Sequence, residues 1–240
     1  MPDLKQKTVL VTGGTTGIGR ATAIELASAG ARIFTFGRHK PELDDALNDI
    51  RAYDPDARGM IADAAKPKDV DAVMNAFDKA HDQLDVLIAN AGISGDALAD
   101  AEEDDWRYVL ETNVAGYLAF AHAAAERMRE RKSGHIVLIG SISADSRGKD
   151  SSLYVATKAA IQGFAESFAK ELAESNVRVS LVEPGLVGTD MQGPPGPQRP
   201  KIRKHEMLKA EDIAEVVHFM LARPERVNMQ SVRVVPRLQD

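Results

Sequence analysis

The sequence predicts an α/β fold: a doubly wound, seven-stranded parallel sheet with helices on both faces, built as one domain over residues 1–240. Three observations predict it. Short apolar, β-branched runs recur along the chain with helical stretches between them, the order that builds parallel sheets. A cluster of glycines stands between the first such run and the first helix, at Gly13, Gly14, Gly17 and Gly19. The chain has 240 residues, 44% of them hydrophobic, which is enough to bury one full core.

Composition bounds the function. The formal net charge is −6 with acidic residues spread along the chain, which speaks against a nucleic-acid partner held on a basic surface. There is no cysteine, hence no disulfide framework and no thiolate chemistry. Met1–Lys7 lacks the apolar run of a signal peptide, and no apolar segment approaches the ~20 residues that span a membrane. A cytoplasmic protein with no membrane partner is predicted. None of the histidines sits in a ligand-like pair, so no metal site is predicted.

Thr8–Val11 reads as a buried strand and Arg20–Ala29 as a helix that Gly30 ends. The loop between them carries Gly13, Thr15, Thr16, Gly17, Ile18 and Gly19. Glycines there let the backbone approach a pyrophosphate, and the helix amino terminus offers free N–H groups. Arg32–Phe36 is the second strand. A dinucleotide-binding unit places an acidic residue near its end to hold the ribose 2′-hydroxyl. Here the end reads Gly37-Arg38-His39-Lys40, with no carboxylate to repel a 2′-phosphate and a guanidinium to bind one. NADP(H) is therefore preferred, with NAD(H) possible. Pro41–Ala52 is an amphipathic helix. Ala57–Ala62 is a third strand ending at Asp63, which either accepts from an adenine amine or caps a turn. Pro67 opens the next helix. Asp85–Ala89 is the fourth strand, and it runs into Asn90-Ala91-Gly92, small enough to leave room for a cofactor ribose.

A helix from Asp105 to about Arg131 contains Asn113, mildly unfavourable in a helix interior. His135–Ile139 is the fifth strand, followed by Gly140-Ser141-Ile142-Ser143. Ser151 or Ser152 can cap a long helix that carries Tyr154 and Lys158. Four residues apart, these two share a helix face. Near a shared ligand, the ammonium lowers a phenol from its ordinary ~10 and lets it give or take a proton at neutral pH. Val177–Val182 is the sixth strand, leading to Glu183-Pro184-Gly185. The tract Gln192–Pro200 is too rich in proline and glycine for an ordinary helix. Lys201, Arg203, Lys204 and His205 follow as a basic cluster, either a solvated loop or a lid that attracts an anionic substrate. Ala210–Ala222 is the last helix and Ser231–Pro236 the final strand.

Thr12–Gly19, Asn90-Ala91-Gly92 and the pair Tyr154/Lys158, in this order and spacing, resemble the short-chain dehydrogenase/reductase family over nearly the whole chain. The resemblance implies a single-domain Rossmann fold that binds NAD(P)(H) and reduces carbonyls or oxidises alcohols. It implies Tyr154 as the acid/base, Lys158 holding the ribose and tuning that phenol, Ser141 polarising the substrate carbonyl with Ser143 as a second substrate contact, and Asn113 kinking its helix and steadying a proton relay. Cofactor contacts are expected from the glycine loop, Arg38, Asp63, Ala64, Asn90, Gly92, Tyr154, Lys158, Pro184, Gly185, Val187 and Thr189. A substrate lid is expected around 190–209. The small residues Ala156, Ala159, Ala160, Gly163 and Ala165 on the Tyr154 helix imply a homodimer or homotetramer. Glu183 stands where many relatives carry a neutral residue.

Overall fold

The structure, a computed structural model, describes residues 4–95, 97–149 and 152–238. The strands that build the main sheet are β1 (Thr8–Thr12), β2 (Arg32–Gly37), β3 (Arg58–Ile61), β4 (Val86–Ala89), β5 (Gly134–Ile139), β6 (Val177–Pro184) and β9 (Ser231–Val234). A separate two-stranded ladder pairs β7 (Val187–Gly188) with β8 (Leu208–Lys209). The main sheet is 7-stranded in the order β3-β2-β1-β4-β5-β6-β9, and every pairing is parallel. This is the predicted Rossmann-type sheet.

The apolar runs form strands because both of their faces are covered; β1 and β4 are buried at every position. One core layer lies under α3 (Pro67–Ala80), α5 (Gly116–Arg131) and α7 (Ser152–Leu172), with Leu10, Phe36, Phe77, Phe120, Leu138 and Ile161. The other lies under α1 (Gly17–Ser28), α2 (Lys40–Arg51) and α9 (Ala210–Leu221), with Val9, Ile33, Leu26, Ile50, Val182 and Ile213. Alternate side chains of the same strands feed the two layers. The chain leaves β1 toward β2 and β3, then returns to pair β4 on the other side of β1. That reversal opens a crevice at the carboxyl ends of β1 and β4.

Two predicted elements differ. The helix bearing Asn113 is not uniform: α4 (Glu103–Leu110) passes through a π turn at Glu111–Ala115 before α5. Asn113 lies within this π turn, and such single-turn bulges are frequent at functional sites. The Pro/Gly tract, read as incompatible with a helix, forms α8 (Pro195–Arg203). Pro195 and Pro197 sit in the first turn, where N–H groups have no helical partner, so only Pro200 removes a bond. Buried Gln198 anchors it, donating from Nε2 to the carbonyls of Thr189 at 2.8 Å and Gly193 at 2.6 Å. The β7–β8 ladder clamps the ends of this segment together. Ser151 lies outside the described residues. No helix among the described residues is long and apolar enough to cross a membrane.

Candidate active site

Two loops meet at the crevice, and Asn90 joins them. Its Nδ2 donates to the carbonyls of Thr12 at 3.1 Å and Gly13 at 3.2 Å. The Thr12 hydroxyl in turn accepts from the backbone N–H groups of Asn90 at 2.8 Å and Ala91 at 2.9 Å. The glycines are required first by the chain's own packing. A Cβ on Gly14 would stand 2.3 Å from Thr35 Oγ1, and one on Gly19 2.4 Å from both the Gly13 carbonyl and Asn90 Nδ2. Gly17 opens α1 with a φ of +52°, in the left-handed region. The Thr16 hydroxyl donates to Asp190 at 3.0 Å, and among the described residues no side chain caps α1. The helix amino terminus thus presents its N–H groups to the crevice, a setting that suits a phosphate.

From there a cavity of ≈ 410 Å³ runs along the carboxyl edge of the sheet. It is lined by Gly13, Thr15, Thr16, Gly17 and Ile18 of the loop, Arg38 after β2, Asp63 and Ala64 after β3, and Asn90 and Gly92 after β4. Its other end is lined by Ser141, Tyr154, Lys158, Pro184, Gly185, Val187 and Thr189. The residues present fit an extended dinucleotide: an uncapped helix terminus, a cation at one end and the Ser141 and Tyr154 hydroxyls at the other. Of the residues picked from the sequence, Gly19, Asn113 and Ser143 do not line this cavity. Gly19 lies beneath the loop. Ser143 lines a second cavity of ≈ 300 Å³ that shares Ser94, Ser141, Tyr154, Gly185, Met191 and Gln192 with the first. Lys201, Arg203, Lys204 and His205 line neither, so the basic cluster does not face the site.

Asn113 is fully buried and works from behind. Its Oδ1 accepts from Ile93 N at 2.8 Å, and its Nδ2 donates to Ile93 O at 2.8 Å and Thr157 Oγ1 at 3.3 Å. One side chain thereby locks the π turn to the loop after β4 and to the helix of Tyr154. Ser141 Oγ accepts from Ser143 N at 3.1 Å and contacts Ser143 Oγ at 3.0 Å. Lys158 is buried, and its Nζ donates to the Ile139 carbonyl at 3.0 Å. The hydroxyl of buried Tyr117 donates to the same carbonyl at 2.9 Å. Burial pushes the Lys158 ammonium down to about 8. Tyr154 is pushed up from its ordinary value by burial, and its hydrogen bond with Ser141 draws it part of the way back. The two residues by themselves therefore do not lower the phenol: Nζ stands 5.6 Å from the Tyr154 ring centre and is turned to the end of β5.

Several neighbours were invisible in the sequence. Glu42, in the first turn of α2, lines the cavity beside His39. The reading that no carboxylate stands near the end of β2 holds for residues 37–40 along the chain, but Glu42 lines the same cavity as Arg38. Glu183 is 2% exposed and has an evident role. Its carboxylate accepts from Gln162 Nε2 at 3.0 Å, Ser231 Oγ at 3.1 Å and Arg233 Nε at 3.2 Å. Arg233 also pairs with Asp145 of α6 (Ser143–Ser146). Glu183 thus ties β6 to α7, β9 and the loop after Ser141. No local pattern announces such a tie, since its partners lie up to 50 residues away.

The family model for short chain dehydrogenases matches residues 7–200. An uncharacterized oxidoreductase of Staphylococcus aureus (strain MRSA252) is 34% identical over 98% of this chain and 100% of its own length. Among solved structures, a short chain dehydrogenase from Burkholderia cenocepacia J2315 in complex with NADP is 30% identical, with a TM-score of 0.86 over 98% of each chain. The closed form of a serine dehydrogenase complexed with NADP+ is 25% identical, with a TM-score of 0.87 over 97% of this chain and 96% of that one. Sheet order, glycine loop, site geometry and these likenesses agree: the chain belongs to the short-chain dehydrogenase/reductase family of oxidoreductases.

Proposed function

We propose that the protein is an NADP(H)-dependent oxidoreductase that transfers a hydride between the nicotinamide and a small carbonyl or alcohol substrate. One observation carries this reading: Ser141, Tyr154 and Lys158 line the same cavity as the α1 amino terminus and Arg38. When bound, the nicotinamide supplies hydride exchange with the carbonyl carbon. The remaining work falls to the chain. Residues 13–18 bind the pyrophosphate, Arg38 the 2′-phosphate, and Asp63 with Ala64 the adenine. Asn90 and Gly92 border the ribose, and Pro184, Gly185, Val187 and Thr189 the nicotinamide side. Ser141 donates to the carbonyl oxygen as charge develops on it. Tyr154 delivers the proton to that oxygen, or takes it in the reverse direction. Lys158 leaves the Ile139 carbonyl for the ribose, and its charge then offsets the burial that holds the phenol up. Asn113 keeps the relay in register by fixing the Ile93 loop.

The NADP(H) preference rests on Arg38 and on the NADP named in the Burkholderia and serine dehydrogenase structures. Glu42 favours a second reading, NAD(H): its Oε2 is buried without a hydrogen-bond partner among the described residues, and a carboxylate there suits a ribose 2′-hydroxyl. The ratio of NADPH to NADH affinity decides between them. Ala156, Ala160 and Gly163 lie on the exposed face of α7, and a Cβ on Gly163 would meet nothing within 4 Å. This narrow, open face supports a homo-oligomer packed helix to helix. Tyr154→Phe tests the mechanism. Turnover of carbonyl substrates with NADPH falls by a factor on the order of 10²–10⁴ while cofactor affinity holds; retained turnover removes Tyr154 as the acid/base.

A further inference from the structure

Three residues from three elements meet at the mouth of the cleft, at the end remote from Tyr154. Arg38 follows β2, Asp63 follows β3, and Tyr108 lies on α4. Arg38 Nη1 donates to Tyr108 Oη at 2.7 Å, and Tyr108 Oη donates to Asp63 Oδ2 at 3.0 Å. The guanidinium carbon stands 5.8 Å from the Tyr108 ring centre, close enough for a cation–π contact as well. Asp63 is itself held: its Oδ1 accepts from Ala65 N at 3.1 Å, and Lys66 Nζ lies 3.8 Å from Oδ2. Orientation therefore passes in one direction, from the turn after β3 to the carboxylate, to the phenol, to the guanidinium. Arg38 and Asp63 line the cavity, whereas Tyr108 stands behind them.

We propose that Tyr108 is a positioning residue that sets dinucleotide selectivity, its Asp63-held hydroxyl pinning the Arg38 guanidinium so that the free edge meets a 2′-phosphate. The inference rests on the NADP(H) reading given above. An exposed arginine samples many rotamers, and a ligand that orders it loses affinity accordingly. A single bond from Nη1 removes most of that freedom. It consumes one of the guanidinium's five N–H donors and leaves the others for phosphate oxygens. The neighbouring carboxylate strengthens the phenol oxygen as an acceptor, because each hydrogen bond in the chain polarises the next. A dinucleotide without the 2′-phosphate gains nothing from the ordering. The effect is thus confined to one of the two cofactors, which a general loosening of α4 would not produce.

Fluorescence titration of NADPH and NADH against wild type, Tyr108→Phe, Arg38→Ala and the double variant tests this. Tyr108→Phe keeps the ring and removes the hydroxyl. It raises the NADPH dissociation constant about fivefold and leaves that of NADH within about twofold. Arg38→Ala loses more, again for NADPH, and adding Tyr108→Phe to it costs nothing further, since the phenol acts only through the guanidinium. Wild-type NADPH affinity in Tyr108→Phe beside a selective Arg38→Ala loss overturns the role of Tyr108 alone. Equal losses of NADPH and NADH in Arg38→Ala overturn the NADP(H) reading and this inference with it.

Discussion

The two ends of the cleft handle charge in opposite ways. At the β5–β6 end two charged groups are sealed. Lys158 and Glu183 are 4% and 2% exposed, and each is bonded by the chain: Lys158 to the Ile139 carbonyl, Glu183 to Gln162, Ser231 and Arg233. At the β2–β3 end Arg38 is exposed and Tyr108 and Asp63 only partly covered. A buried charge needs every partner, because its desolvation is large and unshared. An exposed one is screened by water, and its pairings are weak. Hence the charges of the first end are coupled to folding, while those of the second can change at little cost to stability.

The sharpest break in that comparison comes from Lys158. Its ammonium titrates at about 8 in the folded chain and at its ordinary 10.5 when unfolded. Between these values the unfolded chain holds the extra proton, so the group's contribution makes stability rise as pH climbs from about 8 to 10.5. Below 8 both forms are charged, and the group's destabilising effect is full and constant. Lys158→Met abolishes turnover yet stabilises the fold near neutral pH, and it flattens the pH dependence across that window by up to about 1.4 kcal/mol per pH unit. Denaturant unfolding of both proteins over the window measures it; parallel curves would show that Lys158 is not sealed. Glu183→Ala comes next, destabilising by about 1–2 kcal/mol because a buried acceptor of three hydrogen bonds is lost, while the Gln162 amide keeps Asp145 and the exposed Ser231 and Arg233 turn to water. The smallest effect belongs to the open end: Arg38→Ala shifts unfolding free energy by no more than about 0.5 kcal/mol. Comparable losses from Glu183→Ala and Arg38→Ala in the same denaturation series would erase the contrast between the ends.

Much of the site was legible along the chain because its signals are local. A strand, a glycine loop and a helix start fall within a few residues at Thr8–Gly19, and Tyr154 and Lys158 share a face by their spacing alone. The errors have a common cause. Proline count argued against α8, but the count ignores where each proline falls in the turn and the buried Gln198 that holds the helix down. The segment after β2 looked free of carboxylates until α2 brought Glu42 alongside. The Tyr154 phenol, expected low where its lysine shares a ligand with it, is held up by burial while the ammonium is turned to the Ile139 carbonyl.

The sequence by itself determined the parallel α/β sheet, the glycine-rich turn before α1 and the hydroxyl–lysine pair, since each is written in the period or spacing of a short segment. Only the tertiary structure decided who stands next to whom: Tyr108 between Arg38 and Asp63, Tyr117 sharing a carbonyl with Lys158, Arg233 on Glu183. These contacts join residues that lie 19 to 70 positions apart. Burial, which pushes the Lys158 ammonium down and the Tyr117 phenol up, is a property of the packed whole that no short stretch of chain possesses.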